Sequence, residues 1–479
     1  MSDEKLNAGQ KALQINLDAL KYGTFAEIGA GQEVARWFFR VGGAAGTVAK
    51  SISAYDMAVS DAIYGPSDRY VSRRRLRAML DYEYDLLLER LKKSRGDRCT
   101  FFAFADTVAT RSYSQPDEGH GWLGVKFQTA PQGPPSQIII HVRMLDEEYI
   151  HQQEVLGIVG VNLLHGAYYH HHEPEKLIGT LFDDLSWKRI EVDMIHFSGP
   201  CFAGVDNRLM SLQLVQQGLT DAAMFTSDGE VVIPREELYK KAVLVERGSF
   251  RPITNTTLDM LERAQDQFLR EPGMEGETPV VLLEMTLRSV LSDPAAAHRD
   301  FLDRVDTLSA LGRTVLISNF LRYYRLVGYL SLYTRKMQGI ALGVPSLIRI
   351  FDEQFYTKLE GGLLEALGRL FKGATKLYVY PYLHPETGEL ITAETLQVAP
   401  HLRHLYAHLL ENGHIKSIHG YNPDYLAIYP NEVLDKIRSE DTGWEDQVPP
   451  PVVEIIKAKH LFAAGPKQDV VAESQTKVG

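Results

Sequence analysis

Cysteine is nearly absent: only Cys99 and Cys201 occur in 479 residues. That excludes a disulfide-stapled scaffold and fits a reducing compartment. Basic charge is in deficit as well, with 51 Lys and Arg against 62 Asp and Glu and a formal net charge of −11. Nucleic-acid binding requires a basic field to neutralise phosphates, so no nucleic-acid partner is expected. No run reaches the roughly 18 uninterrupted apolar residues that a membrane helix requires. Met1-Ser2-Asp3-Glu4-Lys5 has neither the basic nor the apolar stretch of a secretory signal. A cytoplasmic protein with no membrane partner is expected. Missing too are a Gly-x-Ser-x-Gly elbow, a P-loop and a His-Glu-x-x-His pair. The sequence names no cofactor.

What the chain has is alternation. Short apolar runs recur through its middle: Ile138-Ile139-Ile140-His141-Val142, Val192-Asp193-Met194-Ile195, Ala222-Ala223-Met224-Phe225 and Ala242-Val243-Leu244-Val245. Val280-Val281-Leu282-Leu283, Thr314-Val315-Leu316-Ile317, the run at 339–344 and Lys376-Leu377-Tyr378-Val379-Tyr380 continue the series. Helical patterns separate most of these runs, which is the signature of βαβ units. The fold class read from this is α/β, with a mostly parallel, doubly wound (Rossmann-like) sheet, an N-terminal helical region and C-terminal helices. The expected domains are a helical region at 1–95, an α/β core at 96–385 that could divide near 250–275, a helical region at 386–445, and a Pro-rich link with a disordered tail at 446–479.

Several places carry residues with chemistry. Glu27-Ile28-Gly29-Ala30-Gly31 precedes a helical pattern and is similar to the first motif of methyltransferases that use S-adenosylmethionine. Glu33 stands where that motif has a third glycine, and a tight turn is the simpler expectation. Glu246-Arg247-Gly248-Ser249-Phe250-Arg251 follows a buried strand, where ligands of open α/β sheets bind. Arg247 and Arg251, with Thr254 at the next helix start, would suit a phosphate or carboxylate. The alternative is that these arginines bridge to Asp206 or Glu284. Asp206 also reads as a helix cap, and Asp206 and Glu284 are the acids available for catalysis. His165 and His170-His171-His172 carry metal-ligand chemistry without a recognised spacing, so no metal ligand is assigned. His120 stands alone. The aromatic stripe Phe320, Tyr323, Tyr324, Tyr329 and Tyr333, with Arg322, Arg325 and Arg335, reads equally as a packed helix or a subunit contact.

The strings at 22–31, 32–36, 42–55, 206–214, 218–225 and 247–252 resemble a family of bacterial proteins found in cyanobacteria and other groups. The resemblance spans most of the chain and implies no established activity. The expected function is binding of a small anionic ligand, a nucleotide or phosphorylated metabolite, at the strand ends, as a transferase or hydrolase. The alternative is a non-catalytic, self-assembling protein, and a homo-oligomer is expected under either reading.

Overall fold

The computed structural model describes residues 5–111, 119–291 and 297–463. The chain forms two compact units, one of residues 1–237 with 316–320 and one of 238–315 with 321–479.

The first unit is built on a six-stranded sheet of β1 (Lys21–Ile28), β2 (Val48–Ile52), β3 (Thr100–Ala109), β4 (Gly119–Phe127), β5 (Ser136–Met144) and β6 (Ile190–Ser198), in the order β2-β1-β3-β4-β5-β6. β2, β1 and β3 are parallel, while β3 to β6 run as an antiparallel meander. β7 (Ala222–Phe225) follows and pairs antiparallel with β8 (Val231–Val232). The segment expected as a helical region at 1–95 therefore supplies two strands that share a sheet with β3. Residues 48–52, expected to be helical, pair instead with β1. The polar start is ordered too: Ala8–Asn16 is a helix opened by a capping box of Asn7 and Gln10. It buries Lys11, whose ammonium lies 2.7 Å from Asp183 and 2.8 Å from Asn162.

One face of this sheet packs under the helix Tyr149–Tyr169, which buries fourteen of its residues, most of them apolar. The other face is covered by the helix Arg73–Arg95 through Leu76, Met79, Leu80 and Tyr84. Neither Cys99 nor Cys201 is in a disulfide.

The second unit carries β9 (Val243–Arg247), β10 (Val280–Thr286), the first two residues of β11 (Thr314–Ser318), β12 (Gln338–Gly343), β13 (Thr375–Tyr380), the small antiparallel pair β14 (Tyr382–Leu383) and β15 (Leu390–Ile391), and β16 (Ile415–Ser417). The order β16-β13-β12-β9-β10-β11 makes up six strands of an eight-stranded sheet that ends in β7 and β8. β10, β9, β12, β13 and β16 are parallel to their neighbours. Numbered along the chain without the β14–β15 pair, this is the order 3-2-1-4-5-6 of a doubly wound nucleotide-binding sheet. From β9 the chain adds β10 and β11 on one side, then returns to add β12, β13 and β16 on the other. The loops leaving β9 and β12 thus part company and open a crevice at the strands' carboxyl edge.

The C-terminal segments are helical, at Arg403–Glu411 and Pro430–Arg438. Pro449-Pro450-Pro451 starts a helix, Pro450–Lys459, where a rigid link was expected; proline suits a first turn, whose N–H groups lack partners anyway. The tail expected to be disordered lies outside the described residues. Among the described residues no helix is long and apolar enough to cross a membrane.

Candidate functional site

β9 ends on Arg247 and its register partner on β10 is Glu284. Parallel neighbours at matched register point to the same face, so the two side chains meet. Arg247 Nε donates to Glu284 Oε2 and Nη2 to Oε1, each at 2.7 Å. The Glu284 side chain is fully buried and that of Arg247 is 12% exposed. The guanidinium also lies 4.4 Å from the ring centre of Tyr323. Burial pulls the Arg247 pKa down, but Glu284 outweighs it and holds the pKa above the ordinary value. The pair is a fixed, charge-neutral floor.

Above that floor opens a cleft of about 670 Å³, inside the range of about 300–1,000 Å³ typical of small-molecule sites. Its walls come from the segments following β9, β10, β11 and β12: Ser249, Arg288, Arg322, Tyr323, Ser346 and Arg349 are among them. Among the described residues no carboxylate, lysine or histidine lines it. Arg322 stacks on Phe355 with its guanidinium carbon 4.1 Å from the ring centre. Arg288, Arg322 and Arg349 have no carboxylate partner among the described residues. Three guanidinium groups face one cleft without a compensating acid, a surplus that an anion would neutralise. Leu321, Ile350, Phe355 and Tyr356 supply an apolar and aromatic side to the same space.

The residues singled out from sequence divide. Arg247 lines the cleft and Glu284 lies directly behind it. Arg251 does not line it; its Nε forms an ion pair with Asp300, which also pairs with Arg304. Thr254 is fully buried and caps the helix Asn255–Phe268, accepting from the Thr257 N–H. Asp206 belongs to the first unit. It caps the helix Asn207–Gln216 and receives Arg208 Nη2 at 2.7 Å and Nε at 3.0 Å. Burial would raise the Asp206 pKa, yet Arg208 outweighs it and holds the carboxyl below its usual range. Both acids proposed for catalysis are therefore occupied by arginines. Arg288 and Arg349 were not foreseen, while Arg322 and Tyr323 had been seen only as part of the aromatic stripe. Tyr329 and Tyr333 of that stripe are buried within the chain.

The glycine turn after β1 is filled by the protein itself. The Glu27 carboxylate accepts the N–H groups of Val34 at 2.8 Å and Ala35 at 3.0 Å, at the start of the helix Glu33–Arg40. A carboxylate thus sits where a bound anion would bind a helix N-terminus. Gly29 has φ +106°, and a Cβ there would come 1.9 Å from the Val108 carbonyl oxygen, so the glycine serves a close backbone approach. Glu27 and its register partner Asp106 are both fully buried. Burial raises both pKa values, that of Glu27 to about 7, against the pull of the two N–H groups.

Among the histidines, His165 is buried with Nε2 2.9 Å from Gln14 Oε1, and burial pushes its pKa down to about 3. His120 belongs to a buried chain: its Nδ1 is 3.2 Å from His141 Nε2, and His141 Nδ1 is 2.6 Å from Asp193 Oδ1. Burial, with His141 beside it, lowers the His120 pKa to about 3. Among the described residues no group of three or more His, Cys, Asp or Glu is placed to hold a metal.

No protein-family model matches the chain, and no curated protein matches it. Several solved structures are similar over part of it. The competence/damage inducible protein CihA from Agrobacterium tumefaciens is 19% identical with a TM-score of 0.25, over 34% of this chain and 97% of its own. A competence-damaged protein (CinA) superfamily protein from Enterobacter cloacae is 13% identical with a TM-score of 0.25, over 35% and 95%. A member of the same superfamily from Escherichia coli is 15% identical with a TM-score of 0.24, over 34% and 92%. Likenesses of this strength carry no argument about what the chain binds or does.

Proposed function

We propose that the second unit binds a nucleotide or phosphorylated metabolite in the arginine-lined cleft at the carboxyl edge of its sheet. The observation that carries this reading is that, among the described residues, Arg288, Arg322 and Arg349 converge without a carboxylate partner on a cleft whose walls hold no acid. Position supports it, because the cleft lies where the strand order reverses between β9 and β12. The aromatic and apolar side gives the organic part of such a ligand a surface to bury against. The reading is of binding rather than turnover: Glu284 is occupied by Arg247, and among the described residues no carboxylate, lysine or histidine lines the cleft. Two free thiols fit a cytoplasmic setting.

A thermal-shift panel of nucleotides and sugar phosphates tests it. A ligand that binds only the folded chain raises the melting temperature by mass action. At least one phosphorylated compound should stabilise the wild type and leave a protein carrying Arg288→Ala and Arg349→Ala unmoved. Equal shifts in both proteins would remove the cleft from consideration.

A further inference from the structure

Resting on that reading, we infer that the ligand is an organic diphosphate, of the nucleoside diphosphate class, and that the cleft takes it without a divalent cation. The first part follows from charge. A phosphate monoester carries about −1.5 to −2 at neutral pH, so one phosphate leaves part of the charge on Arg288, Arg322 and Arg349 unanswered. A second phosphate group closes the gap. The three arginines stand on segments following β10, β11 and β12, so they approach the cleft from different walls rather than as one cluster. That spacing suits an extended anion better than a compact one.

The second part follows from what the walls do not contain. Magnesium in nucleotide sites is held by one or two carboxylates together with the phosphates. Among the described residues no Asp or Glu lines this cleft. Glu284, behind Arg247, gives both oxygens to it at 2.7 Å and is fully buried. Guanidinium groups here do the neutralising that a metal ion does elsewhere. A cation bound to the diphosphate would cancel the charge they recognise and repel them. The ligand's organic part lies against Leu321, Ile350 and Phe355.

Isothermal titration of the full chain with inorganic phosphate, inorganic pyrophosphate and ADP, each in EDTA and in excess magnesium, tests the inference. Pyrophosphate and ADP should bind in EDTA at least about tenfold more tightly than phosphate, as one further charge-assisted contact implies. Magnesium should leave that affinity unchanged or weaken it. Arg288→Ala with Arg349→Ala, both exposed positions, should lower the affinity by about tenfold or more. Phosphate binding as tightly as pyrophosphate, or binding that appears only with magnesium, overturns the inference and leaves the phosphate-binding reading standing. If none of the three binds in either condition, or if the double variant binds like the wild type, the inference and that reading fall together.

Discussion

Arg247 and Glu284 meet across two adjacent parallel strands through a pair of hydrogen bonds, each 2.7 Å long, with the carboxylate wholly out of water. Breaking such a pair leaves an isolated buried charge, whereas replacing both members does not. Glu284→Gln should therefore lower stability by about 3–5 kcal/mol, read from urea unfolding. Arg247→Met combined with Glu284→Leu should lie closer to the wild type than either single change. Additive losses would show that the two side chains act separately.

Glu246, one residue before Arg247, presents the opposite case. Its side chain is buried, neither carboxyl oxygen has a hydrogen-bond partner among the described residues, and burial drives its pKa well above the usual range. A carboxyl with a raised folded pKa stabilises fully below its unfolded pKa and loses that contribution as pH rises. Glu246→Met should raise stability at pH 8 by at least about 1 kcal/mol and by less at pH 4.5. A variant destabilised at both values would mean that the acid has an unrecognised partner.

The carboxyl of Glu27 gives a pH window. Its folded pKa of about 7 lies above the ordinary 4.5 because of burial. The folded chain holds this proton more tightly than the unfolded one. The stabilisation is complete below pH 4.5 and is lost as pH rises through 7. In Glu27→Gln the melting temperature should depend less on pH across that window, the wild-type contribution being up to about 3 kcal/mol. An unchanged slope would contradict the assignment and shift attention to Asp106.

Two residues that the sequence offered as ligand contacts should behave as structural ones. Thr254→Ala removes the cap of the helix Asn255–Phe268 and should cost about 1 kcal/mol. Arg251→Ala takes one of two arginines from Asp300. Neither should change the affinity for a phosphorylated ligand by titration calorimetry, whereas Arg288→Ala should weaken binding without altering stability. The reverse pattern would return Arg251 to the site.

Much of this fold was legible because buried strands are continuous apolar runs, and β9 to β13 appear in the sequence as such. Arg247 could be found because it ends one of those runs and precedes a glycine. Glu284 could be read as either a free acid or an arginine's partner, and only the register of β9 against β10 decides for the partner. Arg251 misled because Asp300, far along the chain, reaches it only through the fold. Arg288, Arg322 and Arg349 each follow a different strand, and no local pattern marks them; the order β12-β9-β10-β11 brings their segments together. Strand β2 escaped because its small residues suit a helix as well.

The most direct measurement is a crystal structure of the full chain grown with ADP in EDTA. The account expects the diphosphate within hydrogen-bonding distance of the Arg288 and Arg349 guanidinium groups, with the base against Phe355 and Ile350. A diphosphate bound elsewhere on the chain, with this cleft empty, would contradict it.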